Sequence, residues 1–392
     1  MSEDSFFKRW APVACLTLSA FIFNTSEFIP IGLLIDIAND FQITESTAGL
    51  IITVYAWIVT ILSLPLMLLV SKMEFKKLLL GVLALFTVSH IFSAIAPSFI
   101  TLMLSRIGVA CSHAIFWSIA SPLAVRIAPA GKRAAALSMV ATGTAIAMIA
   151  GLPLGRAVGL YLGWRATFFS IGAVAFAIAL CLLFIFPKVQ TAQGSVLAKL
   201  PLILGNRLLW LLYLITALVF TANYTAYSFI EPYLAKIVSM PEADITMTLT
   251  VFGIAGIVAS VIFSKCYERA PRFFFATATF GVGIFLFLLL PMSSSMISAV
   301  GLCGLWAMAF TIFGLVFQNS VIKLAPEGTP IAMSIYSGIC NVGIGAGALV
   351  GGLVAAHAEI ALIGFAGGIF AIIAGLICMP WLAPKIAGNS QD

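Results

Sequence analysis

Long apolar stretches fill most of the chain, interrupted by short polar ones, and each can be cut into pieces of about 20 residues, the length that crosses a hydrocarbon core as a helix. The pattern predicts spans at 11–31, 48–70, 78–96, 99–122, 134–158 and 164–187. A second set follows at 208–230, 245–266, 272–291, 296–320, 330–354 and 361–383. The pieces lack the period-two alternation of membrane β-barrel strands, so the expected fold class is an all-α membrane protein of twelve transmembrane helices. The longest polar interval lies mid-chain, from Lys188 to Arg207. It predicts an N-terminal six-helix bundle (1–187), a cytoplasmic linker (188–207) and a C-terminal six-helix bundle (208–392).

An internal repeat supports the division. Ala128-Pro129-Ala130-Gly131 before the fifth span recurs as Ala325-Pro326-Glu327-Gly328 before the eleventh, 197 residues later. After a one-residue slip Ser138 pairs with Ser334, Gly151 with Gly347 and Gly155 with Gly351, an offset of half the chain. Two parallel six-helix repeats, with a substrate site at their interface near the midplane, resemble the major facilitator architecture.

Composition agrees with a membrane protein: 62% of the residues are hydrophobic, 9% are charged and the mean hydropathy is +1.15, whereas soluble domains are roughly a quarter charged. The net charge of +6 does not point to nucleic acid, because of where it lies. Lys8, Arg9, Lys72, Lys76, Lys77, Arg126, Lys132, Arg133, Lys188, Lys199, Arg207, Lys265, Arg269, Arg272, Lys323 and Lys385 all fall on one side of a twelve-span chain. Asp36, Asp40, Glu45, Glu242, Asp244 and Glu359 fall on the other. That is the positive-inside pattern, with both termini cytoplasmic. The first apolar run reads as a retained span rather than a signal peptide. The seven scattered cysteines, without CxxC spacing, read as packing residues.

Against this background the polar residues inside spans stand out. Phe21-Ile22-Phe23-Asn24-Thr25-Ser26-Glu27-Phe28-Ile29-Pro30 carries a carboxylate within the first span, and an ionisable group there costs roughly 3 kcal/mol on insertion scales. Either Glu27 binds a proton beside a polar cavity, or it lies near enough to the outer interface to be hydrated. Pro30 marks a place where this helix can bend. In the fourth span Arg106, Ala110, His113 and Trp117 share one helical face. Arg106 needs an internal partner or a route to the outer interface. His113 either exchanges a proton near neutral pH or is a hydrogen-bonded core residue, and Trp117 offers a flat face for a sugar. In the second half Asn223, Tyr224, Tyr227 and Glu231 cluster at the end of the seventh span, with Gln318 in the tenth and Asn341 in the eleventh. A hydroxylated ligand or a neighbouring helix would satisfy them. Tyr55 and Trp57 are weaker candidates.

The fifth span carries Gly143, Ala147, Gly151, Pro153 and Gly155, a small-residue face suited to close helix packing. Gly151-Leu152-Pro153-Leu154-Gly155 partly resembles the fifth-helix glycine–proline motif of antiporters, with Arg156 in place of its second glycine. The loop Ser71-Lys72-Met73-Glu74-Phe75-Lys76-Lys77 keeps the basic residues of the superfamily's second loop but not its Asp and Gly. No GxxxxGK[ST], HExxH or GxSxG occurs, and adjacent Ser112 and His113 point about 100° apart on a helix, so an enzyme is not expected.

The first-span run, Tyr55-Ala56-Trp57, Ser105-Arg106-Ile107-Gly108-Val109-Ala110, His113-Ala114-Ile115-Phe116-Trp117-Ser118 and Ala128-Pro129-Ala130-Gly131-Lys132-Arg133 resemble the bacterial sugar efflux transporters of the SotB type. Thr142-Gly143-Thr144-Ala145, Tyr224-Thr225-Ala226-Tyr227-Ser228 and Gly343–Gly351 extend the likeness over nearly the whole chain. That family lies in the drug:proton antiporter branch of the major facilitators. The resemblance implies proton-driven export of sugars such as arabinose, lactose and thiogalactosides across a bacterial inner membrane, by a monomer needing no cofactor beyond the proton gradient. On this reading Glu27 and His113 couple the proton, and Asn24, Arg106, His113, Trp117, Asn223, Tyr224, Tyr227, Glu231, Gln318 and Asn341 meet substrate. A multidrug antiporter with the same machinery is the alternative.

Overall fold

A computed structural model describes residues 3–70, 73–129, 132–187, 200–326 and 329–387. The expected mid-chain linker up to residue 199, half of each repeated tetrapeptide, and Ser71 and Lys72 lie outside the described residues. Everything regular among the described residues is helical. Among the described residues, ten helices are long and apolar enough to cross a membrane.

The first crossing is longer and less regular than predicted. Helix α1 (Glu3–Phe28) gives way to a 3₁₀ turn (Ile29–Leu33) and then α2 (Leu34–Asp40). Pro30 sits in the first turn of the 3₁₀ segment and has no N–H to give to the carbonyl four residues back, Ser26. There follow α3 (Glu45–Val70), α4 (Phe75–Ala94) and α5 (Phe99–Ile127), the last capped by the Ser98 hydroxyl, which accepts from the Thr101 N–H. The fifth predicted span is composite: α6 (Arg133–Ile146), a π turn (Ala147–Gly151) and α7 (Leu152–Leu162). Pro153 likewise cannot donate to a carbonyl one turn earlier, and the ladder is offset where it would have done so. Helix α8 spans Trp164–Ile185.

In the second half α9 (Leu200–Leu204) precedes α10 (Arg207–Tyr227), whose first N–H groups are capped by Asn206 Oδ1. A two-residue break separates α10 from α11 (Ile230–Lys236), much as α1 is broken before α2. Then come α12 (Glu242–Cys266), α13 (Pro271–Ala276), a π turn (Thr277–Gly281) and α14 (Val282–Phe287). The ninth span, expected at 272–291, is thus shorter than predicted and interrupted by the π turn. Helices α15 (Met296–Leu324), α16 (Thr329–His357), α17 (Ile363–Ile377) and α18 (Ala383–Ala387) complete the chain.

The chain forms two compact units. One comprises Met1–Phe41 and Ile58–Gln193, the other Gln42–Trp57 and Gly194–Asp392. In the first, α1 packs on α6 and α8, and α4 on α5 and α8. In the second, α10 packs on α16 and α17, and α12 on α15. The glycine stripe of the fifth span faces α1: a Cβ on Gly151 would collide with the Thr25 side chain. Gly347, its repeat partner, lies against α10, where a Cβ would meet the Thr221 carbonyl and Tyr224 Cβ. Without hydrophobic gain between helices in lipid, such close approach supplies the packing. In the second unit the Glu45 carboxylate pairs with Lys236 Nζ at 2.6 Å, and Ser46 Oγ donates to the Gly352 carbonyl at 2.7 Å.

Candidate functional site

In the first unit, the break at Pro30 shapes the chemistry beside Glu27. The Ser26 carbonyl, left without its helical donor, accepts from Arg106 Nη2 at 2.9 Å, and Ser26 Oγ accepts from Arg106 Nη1 at 3.1 Å. The guanidinium also stands 5.7 Å from the centre of the Phe168 ring, a cation–π distance. Arg106 is 2% exposed, so it is no interface snorkeller; it spans from α5 to α1 inside the bundle. Its two Nη groups are used on the first helix rather than turned toward a ligand, which makes it an organising residue more than a substrate contact.

Ser26 has a second partner. Its hydroxyl lies 2.8 Å from His90 Nε2, and His90 Nδ1 lies 2.9 Å from the Phe86 carbonyl. A carbonyl only accepts, so Nδ1 carries the hydrogen and Nε2 presents a lone pair. The Ser26 O–H therefore donates to His90, leaving its own lone pairs for Arg106. Ser26 and His90 are completely buried. His90 is the one ionisable residue between Lys77 and Arg106, so spacing in the third span gives it no ionisable companion. The rule that could have found its neighbourhood is simpler: counting four residues back from Pro30 identifies Ser26 as an acceptor in need of a donor.

Next to this node Glu27 faces His113. Glu27 Oε2 and His113 Nε2 are 3.7 Å apart, an ion-pair separation longer than a hydrogen bond. Their side chains are 9% and 5% exposed. The Arg106 charge acts on Glu27, His113 and His90 alike. Phe23 stacks on Phe116 at 4.3 Å and approaches Phe86 at 4.1 Å, and it walls one side of the pair. Trp117 is half-buried, its ring 6.1 Å from that of His113. Asn24 is buried and donates to the Ala20 carbonyl at 3.0 Å and to Thr144 Oγ1 at 3.3 Å. Arg156, which replaces the expected glycine, is fully buried and donates to the Gly32 carbonyl in the 3₁₀ turn.

The second unit holds an aromatic cluster with few polar groups. Asn223 Oδ1 accepts from Trp306 Nε1 at 2.9 Å. Tyr227 lies 5.1 Å from Phe252 and 6.1 Å from Trp306, and Tyr224 lies 5.9 Å from Tyr227 and 6.1 Å from Phe310. Glu231 is 1% exposed in the first turn of α11. Asn341 donates to the Ser337 carbonyl at 3.0 Å, while its buried Oδ1 has no hydrogen-bond partner among the described residues. Gln318, expected beside these groups, is exposed late in α15 and joins none of these bonds. Its neighbours Phe317, Ser320 and Val321 are buried, so Gln318 lies on the opposite, outward face of the helix. Trp57 rests on Gly345, and Tyr55 is buried.

No cluster of three or more His, Cys, Asp or Glu residues suited to a metal occurs among the described residues. What the first unit can do chemically is hold and pass a proton: a carboxyl, an imidazole and a fixed cation lie together in an apolar wall.

Comparison with known proteins bears on the family and the fold. A family model described as the Major Facilitator Superfamily matches residues 16–330. Among solved structures, the chain is similar to a bacterial homolog of the human lysosomal transporter Spinster in an inward-facing, unoccupied conformation. The identity is 16%, covering 100% of this chain and 99% of that one, with a TM-score of 0.81. The same homolog in its inward-facing, occupied conformation matches at 18% identity over 100% and 99%, with a TM-score of 0.77. At such identities the likeness is one of fold.

Proposed function

The chain belongs to the Major Facilitator Superfamily, a multi-pass membrane transporter rather than an enzyme, and within that family we propose that it is a proton-driven sugar exporter of the SotB type. The observation that carries the reading is the buried Glu27–His113 pair, with Arg106 anchored beside it on Ser26. An ionisable pair inside a membrane bundle is costly to bury and by default marks a functional site such as a proton relay. In this reading Glu27 takes and releases the coupling proton and His113 assists. Asn24 and Trp117 in the first unit, and Asn223, Tyr224, Tyr227, Glu231 and Asn341 in the second, meet the sugar. Asn341 is the strongest of these, because its idle Oδ1 suits a hydroxyl donor. Residues 1–187 and 208–392 act as the two halves that alternate access, and the membrane is a bacterial inner one, with both termini cytoplasmic.

A second reading, a multidrug antiporter, is favoured by the aromatic cluster of Phe220, Tyr224, Tyr227, Phe252, Trp306 and Phe310, which suits flat lipophilic cations. Flux in oriented proteoliposomes separates the two. With an imposed pH gradient, arabinose and a thiogalactoside should move against their concentration gradients and a lipophilic cation should not. Selective movement of the cation alone would establish the second reading instead.

A further inference from the structure

Ser26 and Glu27 are neighbours, and together they offer the Arg106 guanidinium two competing sets of acceptors. One is the Ser26 carbonyl and hydroxyl that it holds here; the other is the Glu27 carboxylate. A charge-assisted bond to carboxylate is ordinarily the stronger choice, so something must favour Ser26. The freed carbonyl contributes one acceptor. The second depends on how the Ser26 hydroxyl is turned, and that is decided by His90. With His90 Nδ1–H committed to the Phe86 carbonyl, Nε2 can only accept, and the Ser26 proton has to point at it. The oxygen lone pairs then face Arg106 Nη1.

We propose that His90 is a positioning residue for the proton site: by accepting the Ser26 hydroxyl proton, it holds the Arg106 guanidinium on Ser26 and off the neighbouring Glu27 carboxylate. This rests on the reading of Glu27 as the coupling site. The consequence is that Glu27 is left to His113 and can accept a proton without first displacing a bidentate cation. The ionisable groups that meet this part of α1 and its 3₁₀ turn are His90 from α4, Arg106 and His113 from α5, and Arg156 from α7, the last committed to the Gly32 carbonyl. Removing the His90 lone pair frees the Ser26 hydroxyl to turn its proton elsewhere, and Arg106 loses an aimed acceptor on one side while the carboxylate waits on the other.

The test uses the full-length protein in nanodiscs and needs no substrate. The infrared C=O band of a protonated carboxyl that disappears in Glu27→Gln reports Glu27, and its pH midpoint is compared between variants. His90→Leu and Ser26→Ala should both lower that midpoint by about 1 pH unit or more, the ordinary effect of a cation brought against a carboxylate. His90→Gln, whose amide oxygen can still accept from Ser26, should keep the wild-type midpoint. Ser26→Ala reads the same contrast should the leucine variant misfold. Unchanged midpoints in both disrupting variants would overturn the role of His90 while leaving Glu27 as a proton site. A spectrum in which Glu27→Gln removes no titrating band would overturn the proton site itself, and the positioning role with it.

Discussion

The capping of a proline-freed carbonyl by a buried arginine makes a quantitative prediction. Pro30 withholds the N–H that the Ser26 carbonyl would otherwise receive, and Arg106 supplies a replacement 2.9 Å away, with a second bond to Ser26 Oγ at 3.1 Å. Hydrogen bonds to a charged group contribute about 1.5–3 kcal/mol each, so Arg106→Leu should destabilise the protein by roughly 3–6 kcal/mol. Pro30→Ala restores a backbone donor to the Ser26 carbonyl. In that background the arginine is needed for one bond fewer, and Arg106→Leu should cost about 1.5–3 kcal/mol less. The double-mutant cycle is measured by reversible unfolding in mixed detergent micelles. If the two substitutions add within about 0.5 kcal/mol, as independent sites do, the carbonyl is not what Arg106 caps and the reasoning fails.

Other consequences can be checked separately. Glu27→Gln should abolish sugar movement driven by a pH gradient in proteoliposomes yet leave sugar–sugar exchange measurable; gradient-driven accumulation at the wild-type rate would end the coupling role. Gly347→Ala, against the Thr221 carbonyl, should cost about 1–3 kcal/mol in micelle unfolding, whereas Gly338→Ala on the open side of the same helix should be neutral or stabilising by up to about 1 kcal/mol. Trp306→Phe leaves buried Asn223 Oδ1 without its donor and should destabilise by about 1–3 kcal/mol, which the double variant with Asn223→Leu should partly recover. Asp40→Asn, which removes a pair with Arg165 whose side chains are 40% and 39% exposed, should change stability by less than about 1 kcal/mol, because solvent screens it.

Hydropathy alone determined that this chain is a helical membrane protein, because a bilayer forces every backbone group to be satisfied within the segment, and long apolar runs have no other solution. The repeat at half the chain length identified equivalent positions, and Gly151 and Gly347 do occupy equivalent packing roles on α1 and α10. Glu27, Arg106 and His113 were legible as anomalies, since ionisable residues are conspicuous in apolar sequence. What they do for one another was not. Side-chain partners in different helices depend on rotation and depth, which a 3.6-residue period specifies only within one helix. Tertiary structure decided that Arg106 is buried on Ser26, that Glu27 faces His113, that His90 belongs to the same network and that Gln318 stands outside it. Pro30 joins the two levels: its missing N–H is written in the sequence, but only the fold could show which residue answers the carbonyl it leaves free.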